Sequence, residues 1–540
     1  MNQDSKADVA ALELQVDSAW ASTPLPHKDW RQCVVTVVTV LEDELRMSGP
    51  KAADNLKYSL RSLLELARVN CVSDLPQPSI PQIETSYAMC RHALVAADSY
   101  ESARLAFGCF WKGRASYERV EGKHLFTSLM CARYEMLDRL VPEHDRAIST
   151  EDDPVAWLEQ TIIHDGAIDQ SGSRISYRFR ESVAKRLAKS LPESRPFLPP
   201  EWRAWGVPAA EARRVLRALR LRCVYHCFAI DTLASHFRVV GGGLDDLLLR
   251  MEWSHLVSQV AKLAAAPTDQ VESVLSALRF GHLTTNPDPA LQPIIPVGPT
   301  EVALPCRTIA TSNVERNLLV LQARLSKQDF DSQSHLFARD MTRDLEAAMD
   351  RLGLPYKSSV ATDAGETDLV FSLPDGDVVF VVELKWFIPP GDLRETIERT
   401  VAVRAGVEQV QCKLRSLRQD RRAEELLGLA HPPTAYAALV VTEGFSTASG
   451  DPAVACLPAS VFKRLLEVSS SGEDAAKKLT EQPWLPCEGV HYQRASREHS
   501  IADVSFSWCY HTLLPAADDL AKQWVGPRST PPPTHRGVPP

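Results

Sequence analysis

Apolar residues recur every three or four positions through most of the first three hundred residues, and this spacing is typical of amphipathic helices. The pattern predicts four N-terminal helices, over Leu12–Trp20, Trp30–Met47, Lys51–Val69 and Tyr87–Val141. Proline-containing stretches interrupt it at residues 73–81, 191–200 and 284–305. Because proline lacks a backbone donor, such stretches end helices. The sequence therefore predicts a mainly α-helical N-terminal region.

The apolar pattern changes in the C-terminal half. Ser334–Leu352 carries a helical stripe, and two runs rich in Val, Leu and Phe then flank the dipeptide Asp375-Gly376, a strong hairpin signal. A long helical segment from Asp392 to about Leu427 precedes an apolar run over Ala435–Phe445, which predicts a buried strand. Helices and strands thus alternate here, and the whole chain is expected to be an α+β multidomain protein.

These breaks predict the domain organisation, because 540 residues exceed what one hydrophobic core usually organises. We expect a helical domain over 1–195, a second helical body with a proline-rich linker over 196–305, a mixed α/β domain over 306–512, and a disordered tail over 525–540.

The hairpin brings three chemically active side chains together. A two-residue loop at Asp375-Gly376 fixes the register of the strands and sets Asp368 directly opposite Glu383. Opposed residues in an antiparallel pair have Cβ atoms about 5 Å apart. Lys385 lies two positions after Glu383 and therefore shares its face. The sequence predicts two carboxylates and an ammonium at one end of the hairpin.

Two carboxylates in an otherwise apolar sheet repel each other unless a cation neutralises them. Mg²⁺ prefers oxygen ligands, is commonly held by one or two carboxylates, and keeps positions for water and substrate phosphate. Lys385 beside it could orient the attacking water or stabilise negative charge on the phosphorus centre. In outline, these residue types indicate metal-assisted hydrolysis of a phosphodiester.

Asp368, fourteen intervening residues and then Glu383-Leu384-Lys385 resemble the signature of the PD-(D/E)xK nuclease superfamily, with the restriction-endonuclease-like fold. The resemblance covers roughly residues 310–510 and includes the order helix, hairpin, helix, strand. It implies an α/β nuclease domain in which Asp368, Glu383 and the carbonyl of Leu384 hold Mg²⁺, with Mn²⁺ as an alternative. Lys385 would be catalytic, and Gln409 on the following helix would help to shape the site.

Two positions depart from the family pattern. Thr367 replaces the proline that gives the motif its name, and Lys413 stands where RecB-like members have a tyrosine. The resemblance further implies a third acid from the preceding helix, for which Asp344 and Glu346 are candidates. Stand-alone nucleases of this organisation resemble prokaryotic antiviral defence or mobile-element proteins.

Basic residues near the hairpin are candidates for contacting nucleic acid. Arg415, Arg418 and Arg422 recur at helical spacing downstream of the catalytic strand, with Lys413 beside them. A second stripe comprises Arg213, Arg217 and Arg220. The net charge of −9 gives no overall attraction to nucleic acid, so such contacts must come from local patches. We expect DNA rather than RNA as the partner.

Other interpretations of the same residues stay open. Lys385 could simply form a cross-strand ion pair with Glu366, which falls opposite it in the predicted register. The fold could then be a non-catalytic module that binds nucleic acid or protein. A third possibility is an adaptor whose helical region binds a protein partner, with oligomerisation left open.

The spacing of the cysteines and the hydropathy of the chain indicate in which cellular compartment the protein is expected. Twelve cysteines show no disulfide-framework spacing, and the N-terminus lacks the apolar core of a signal peptide. No apolar run reaches about 18 residues. We therefore expect a cytoplasmic protein with reduced thiols and no membrane partner. Cys223, His226 and Cys227 are expected to be core side chains rather than zinc ligands.

Overall fold

The computed structural model describes residues 3–48, 53–72, 83–129, 132–146, 168–171, 174–190, 197–237, 247–390, 393–420 and 422–525. Within these ranges the protein is mixed α/β, with helices dominating the N-terminal region and the largest sheet in the C-terminal region. None of the described helices is long and apolar enough to cross a membrane.

The N-terminal region begins with helices Gln3–Ala21, Trp30–Ser48, Ala53–Asn70 and Ile83–Trp111. The first three predicted helices are confirmed, but the fourth ends at Trp111. Strands β1 (Ala115–Val120) and β2 (Lys123–Ser128) follow, and helix Ala132–Arg146 comes after them. The helix ends because Gly113 adopts a left-handed conformation with φ 67° and its N–H donates to the Phe110 carbonyl at 2.9 Å. The turn at Glu121 and Gly122, with φ angles of 52° and 80°, then connects β1 to β2.

The central region combines short strands with helices of very different lengths. The strands are β3 (Ile168–Ser171), β4 (Arg174–Tyr177), β5 (Arg203–Ala204), β6 (Val207–Pro208), β7 (Leu249–Glu252), β8 (Ile295–Pro296) and β9 (Glu301–Leu304). The helices are Glu181–Ser190, Ala209–Phe237, Trp253–Ala264, Thr268–Ala277, Cys306–Thr311, Val314–Leu325 and Lys327–Gln333.

The proline-containing stretch 284–305 differs from the predicted linker. It forms β8 and β9, which join β7 in a three-stranded sheet. Ile294 and Val302 are fully buried in it, so the stretch packs as part of the core. The break at 73–81 and residues 526–540 of the predicted tail lie outside the described residues.

The C-terminal region is organised around a five-stranded sheet. Helix His335–Leu352 leads into β10 (Tyr356–Thr362), β11 (Gly365–Ser372) and β12 (Val378–Trp386). Helices Leu393–Asp420 and Ala423–Leu427, β13 (Ala435–Glu443) and β14 (Val454–Pro458) follow. The strand order is β10-β11-β12-β13-β14, with β13 parallel to β12. The predicted helix before the hairpin and the predicted buried strand are confirmed.

Both faces of this sheet are covered, which explains its continuous apolar runs. On one face Leu345 of helix His335–Leu352 packs with Phe371, Phe380 and their neighbours. On the other face helix Leu393–Asp420 packs Val403 and Val410 against the strands. Successive side chains of β11 and β12 point to opposite faces of the sheet. Even-numbered and odd-numbered residues of each strand therefore pack against different helices.

The last hairpin returns to the N-terminal region. Helices Ala459–Val468 and Gly472–Glu481 lead to β15 (Tyr492–Ile501) and β16 (Val504–Leu513), and helix Ala517–Trp524 follows. β16 pairs in parallel with β2, which gives a four-stranded sheet in the order β1-β2-β16-β15. The range 306–512 therefore includes strands that share a sheet with N-terminal residues.

Candidate functional site

The register of the β11–β12 hairpin follows the sequence prediction. Four pairs run from Leu369 with Val382 to Ser372 with Val379. The turn itself is wider than the predicted two-residue loop, because the Gly376 N–H donates to the Leu373 carbonyl at 3.0 Å and Gly376 has φ 70°. The same register is thus reached through a different turn.

The two strands part just beyond Leu369, at Asp368. There the Leu384 N–H donates to Asp368 Oδ2 at 2.7 Å, so a side-chain carboxylate accepts a backbone hydrogen bond. The adjacent strand is also distorted, because Ser359 has φ 51° and is skipped in the β10–β11 pairing. A non-glycine residue in this conformation costs about 1–3 kcal/mol. Regular strand pairing is therefore interrupted next to Asp368 on both neighbouring strands.

Glu383 is the centre of the site and is only 4% exposed. Its Oε1 accepts from Lys385 Nζ at 2.7 Å, and its Oε2 accepts from Lys413 Nζ at 2.5 Å. Lys413 is itself 7% exposed. This corrects the prediction that Lys413 contacts nucleic acid from the surface: it lies inside the site as an ion-pair partner of Glu383.

Lys385 joins the strand to the helix behind it. Besides Glu383, it donates to Gln409 Oε1 at 2.8 Å, so the structure brings the predicted Gln409 into the same cluster. Its carboxylate partner is Glu383, whereas Glu366 is exposed and paired in the strand ladder with Ala361. The observed ion pair is therefore not the cross-strand pair with Glu366 that the sequence left open.

Gly406 allows helix Leu393–Asp420 to approach this cluster. A Cβ atom added there would lie 2.9 Å from Cε of Lys385 and 3.7 Å from Cγ of Glu383. Glycine inside a helix costs about 1 kcal/mol relative to alanine, so its presence indicates a packing requirement. Sequence reasoning missed Gly406, although a glycine within a helical segment, three positions before Gln409, was a usable signal.

Gly406→Ala is expected to lower the melting temperature, because the new methyl group displaces the Lys385 ammonium from Glu383 and Gln409. The matched control is Gly108→Ala, also inside a helix, where an added Cβ meets no atom within 4 Å. That control should raise stability by up to about 1 kcal/mol. Thermal melts of both variants measure this, and equal shifts in melting temperature for the two would contradict a close approach at Gly406.

The electrostatics of the site are nearly balanced. Burial raises the pKa of Asp368, and the Glu383 carboxylate raises it further, while the Leu384 N–H and the two lysines act in the opposite direction. Asp368 and Glu383 carry two negative charges, and Lys385 and Lys413 carry two positive charges. The burial of Asp368 is therefore only partly compensated by the groups around it.

The predicted third acid is not at this site. Asp344 accepts from Lys463 at 2.8 Å, and Glu346 accepts from the Ser358 hydroxyl at 2.5 Å. Their helix packs on the face of the sheet opposite the one that Glu383 occupies, so neither acid can reach the cluster. Among the residues that the structure describes, no three His, Cys, Asp or Glu side chains gather in a group that could hold a metal.

The two arginine stripes differ from each other. Arg415, Arg418 and Arg422 are exposed, but the helix ends at Asp420 and Arg422 precedes the next helix. They are thus surface cations that do not share one helical face, because Arg415 and Arg418 lie on the first helix and Arg422 lies just before the second. In the other stripe, Arg213 pairs with Glu315 at 3.2 Å, and Arg217 and Arg220 donate to backbone carbonyls. That stripe ties neighbouring elements together.

The cysteine and histidine group in helix Ala209–Phe237 is built into the core. The two ring nitrogens of His226 hydrogen-bond with the Tyr177 hydroxyl at 2.7 Å and the Leu247 carbonyl at 3.1 Å. Cys223 is fully buried in the apolar cluster. These contacts agree with the core role expected from the sequence.

The donor set at the hairpin fits a hard divalent cation. The carboxylates of Asp368 and Glu383, together with the Leu384 carbonyl, are the oxygen ligands that Mg²⁺ takes. The raised pKa of Asp368 marks a partly buried carboxylate that further positive charge would stabilise. Against this, both oxygens of Glu383 already accept from lysines, so a cation would share Glu383 with them.

Comparison of the chain with protein-family models, with curated proteins and with solved structures finds no match.

Proposed function

We propose that the protein is a metal-dependent nuclease that hydrolyses phosphodiester bonds at the Asp368, Glu383 and Lys385 cluster. The observation that carries the proposal is the convergence of these three side chains with Gln409 where the two strands part. A buried and a partly buried acid, a lysine and a polar helix side chain are the groups needed to position water and phosphate. The element order around them is the one that the PD-(D/E)xK resemblance implies.

In this proposal Asp368, Glu383 and the Leu384 carbonyl would hold Mg²⁺, or Mn²⁺ in its place. The ion would supply a Lewis acid for the phosphate and a lowered pKa for a water molecule. Lys385 donates to the water or to the developing negative charge, and it is a quarter exposed, so substrate can reach it. Gln409 holds the Lys385 ammonium and so orients it.

The N-terminal helical region is proposed to select the substrate, a protein partner or a trigger. Ile397, near the start of helix Leu393–Asp420, packs with Phe107 and Phe110 of helix Ile83–Trp111. The helix that carries Gln409 and Lys413 is therefore in direct contact with the N-terminal region. A role in prokaryotic defence or mobile-element biology is part of the proposal and rests on the family resemblance.

One observation favours a second candidate, a non-catalytic module that binds nucleic acid or protein. The four charges of the cluster already balance, and both oxygens of Glu383 have lysine partners. Such a network compensates its own charges without a metal ion, as a purely structural element would. Cleavage and its dependence on Lys385 separate the two candidates.

The test is an assay of the purified protein on plasmid, linear duplex, single-stranded DNA and RNA, with Mg²⁺, Mn²⁺ or a chelator. We expect the protein to cleave at least one substrate, DNA in preference to RNA. The chelator should abolish this cleavage. Absence of cleavage in all four substrates with either metal would overturn it.

Substrate binding is expected to depend on the exposed cations Arg415, Arg418 and Arg422. Replacing all three with glutamine should weaken binding and flatten its logarithmic salt dependence by about one unit of slope for each phosphate that is no longer bound. The matched control replaces Arg343 and Arg351, exposed on the helix at the opposite face of the sheet. Binding isotherms between low and moderate salt measure both, and identical slopes would rule out this phosphate track.

A further inference from the structure

Lys413 has a position that the proposed reaction does not explain. It lies one helical turn after Gln409, so both side chains project from the same side of helix Leu393–Asp420. Gln409 contacts Lys385, whereas Lys413 reaches past it to the second oxygen of Glu383. The lysine is 7% exposed and the glutamate 4%, so this ion pair is screened from water.

A buried ammonium beside a metal-binding carboxylate has a definite electrostatic effect. Burying an ion is unfavourable unless a partner compensates it, and Lys413 provides that compensation for Glu383 in the absence of metal. With Lys385, Lys413 brings the formal charge of the cluster to zero. A divalent cation entering this cluster leaves it with two excess positive charges in a buried setting, which disfavours binding. A substrate phosphate would offset part of that excess.

We propose that Lys413 is an internal counter-cation that holds Glu383 in its orientation, and that it weakens metal binding until substrate is present. This inference rests on the proposed nuclease function. Lys413 is a positioning residue in this account, because it touches Glu383 rather than the reacting atoms. The consequence is that metal and nucleic acid bind cooperatively: each raises the affinity for the other by the same factor.

The first test measures binding of Mn²⁺ and Ca²⁺ to the full chain by calorimetry, without nucleic acid. Lys413→Met removes the charge and keeps the length of the side chain, and it should bind either metal at least tenfold more tightly than the wild type. Lys463→Met is the matched control, because Lys463 pairs with Asp344 away from the site. The control should bind as the wild type does.

Thermal stability gives a second readout that activity does not influence. Without metal, Lys413→Met leaves Glu383 Oε2 without its partner, so its melting temperature should fall. Added Mn²⁺ should then raise the melting temperature of the variant more than that of the wild type, because metal binds the folded state more tightly. Should Lys413→Met fail to fold, Lys413→Gln takes its place in both measurements.

The outcomes separate this inference from the proposed function. If the wild type cuts nucleic acid but Lys413→Met binds Mn²⁺ no more tightly, the counter-cation role is wrong and the nuclease function stands. If neither protein binds metal, with or without a phosphorothioate form of the best substrate, both proposals fail. The inference expects the wild type to gain at least tenfold in Mn²⁺ affinity when that phosphorothioate ligand is bound.

Discussion

Lys385→Ala is expected to lower turnover by about two to four orders of magnitude, the usual range for removing a group that transfers or stabilises a proton. Substrate affinity should change little, because the lysine acts on the water or the transition state rather than on the bound substrate. Single-turnover rates together with equilibrium binding of the same substrate measure the two effects separately.

The control for this prediction is Lys463→Ala. Lys463 has the same side-chain exposure of 25% and also pairs with a carboxylate, but on the opposite side of the sheet. Its replacement should leave turnover at the wild-type value. Cleavage by Lys385→Ala at the parental rate with Mg²⁺ present would reduce the lysine to a structural partner of Glu383 and favour the non-catalytic module.

Asp368→Asn is expected to abolish cleavage while leaving the melting temperature unchanged or raised. A carboxyl whose pKa is raised in the folded state stabilises the fold only when protonated, so its contribution is lost as pH rises through that pKa. An amide has no such charge, yet its oxygen can still accept from the Leu384 N–H. The stability advantage of the variant should therefore be largest at neutral pH and should vanish in acid.

Thermal melts from acid to neutral pH, paired with cleavage assays, test this prediction. Asp344→Asn serves as the control, because Asp344 pairs with Lys463 outside the cluster. It should remain active. If Asp368→Asn unfolds at neutral pH, the carboxylate has a structural role and the metal-binding interpretation loses its main support.

The hairpin could be predicted because its information is local. Alternation of side chains and a short connection fix which residues face each other, and the pairing of Phe371 with Phe380 follows directly. The helix before it was equally predictable, since Phe337, Met341 and Leu345 recur on one stripe. Even a different turn at Gly376 preserved the register, because the buried faces of both strands constrain it.

The remaining features depend on contacts between distant parts of the chain. The pairing of β16 with β2 joins residues far apart in sequence, and no local pattern specifies it. The direction of Lys413 is set by how helix Leu393–Asp420 lies on the sheet, and Gly406 permits that close approach. The prediction of a third acid at the site was wrong for the same reason. Helix His335–Leu352 packs on the face of the sheet opposite the one that Glu383 occupies.

The most direct test compares the wild type with Asp368→Asn and Glu383→Gln, purified in parallel and assayed with Mg²⁺ on the substrate panel. If the hairpin is a nuclease centre, we expect cleavage by the wild type alone. A chelator should abolish that cleavage. Both variants should remain folded by circular dichroism, so that the loss reflects chemistry. Cleavage that persists in a folded Asp368→Asn protein, or that is absent from the wild type, would contradict a nuclease centre at this hairpin.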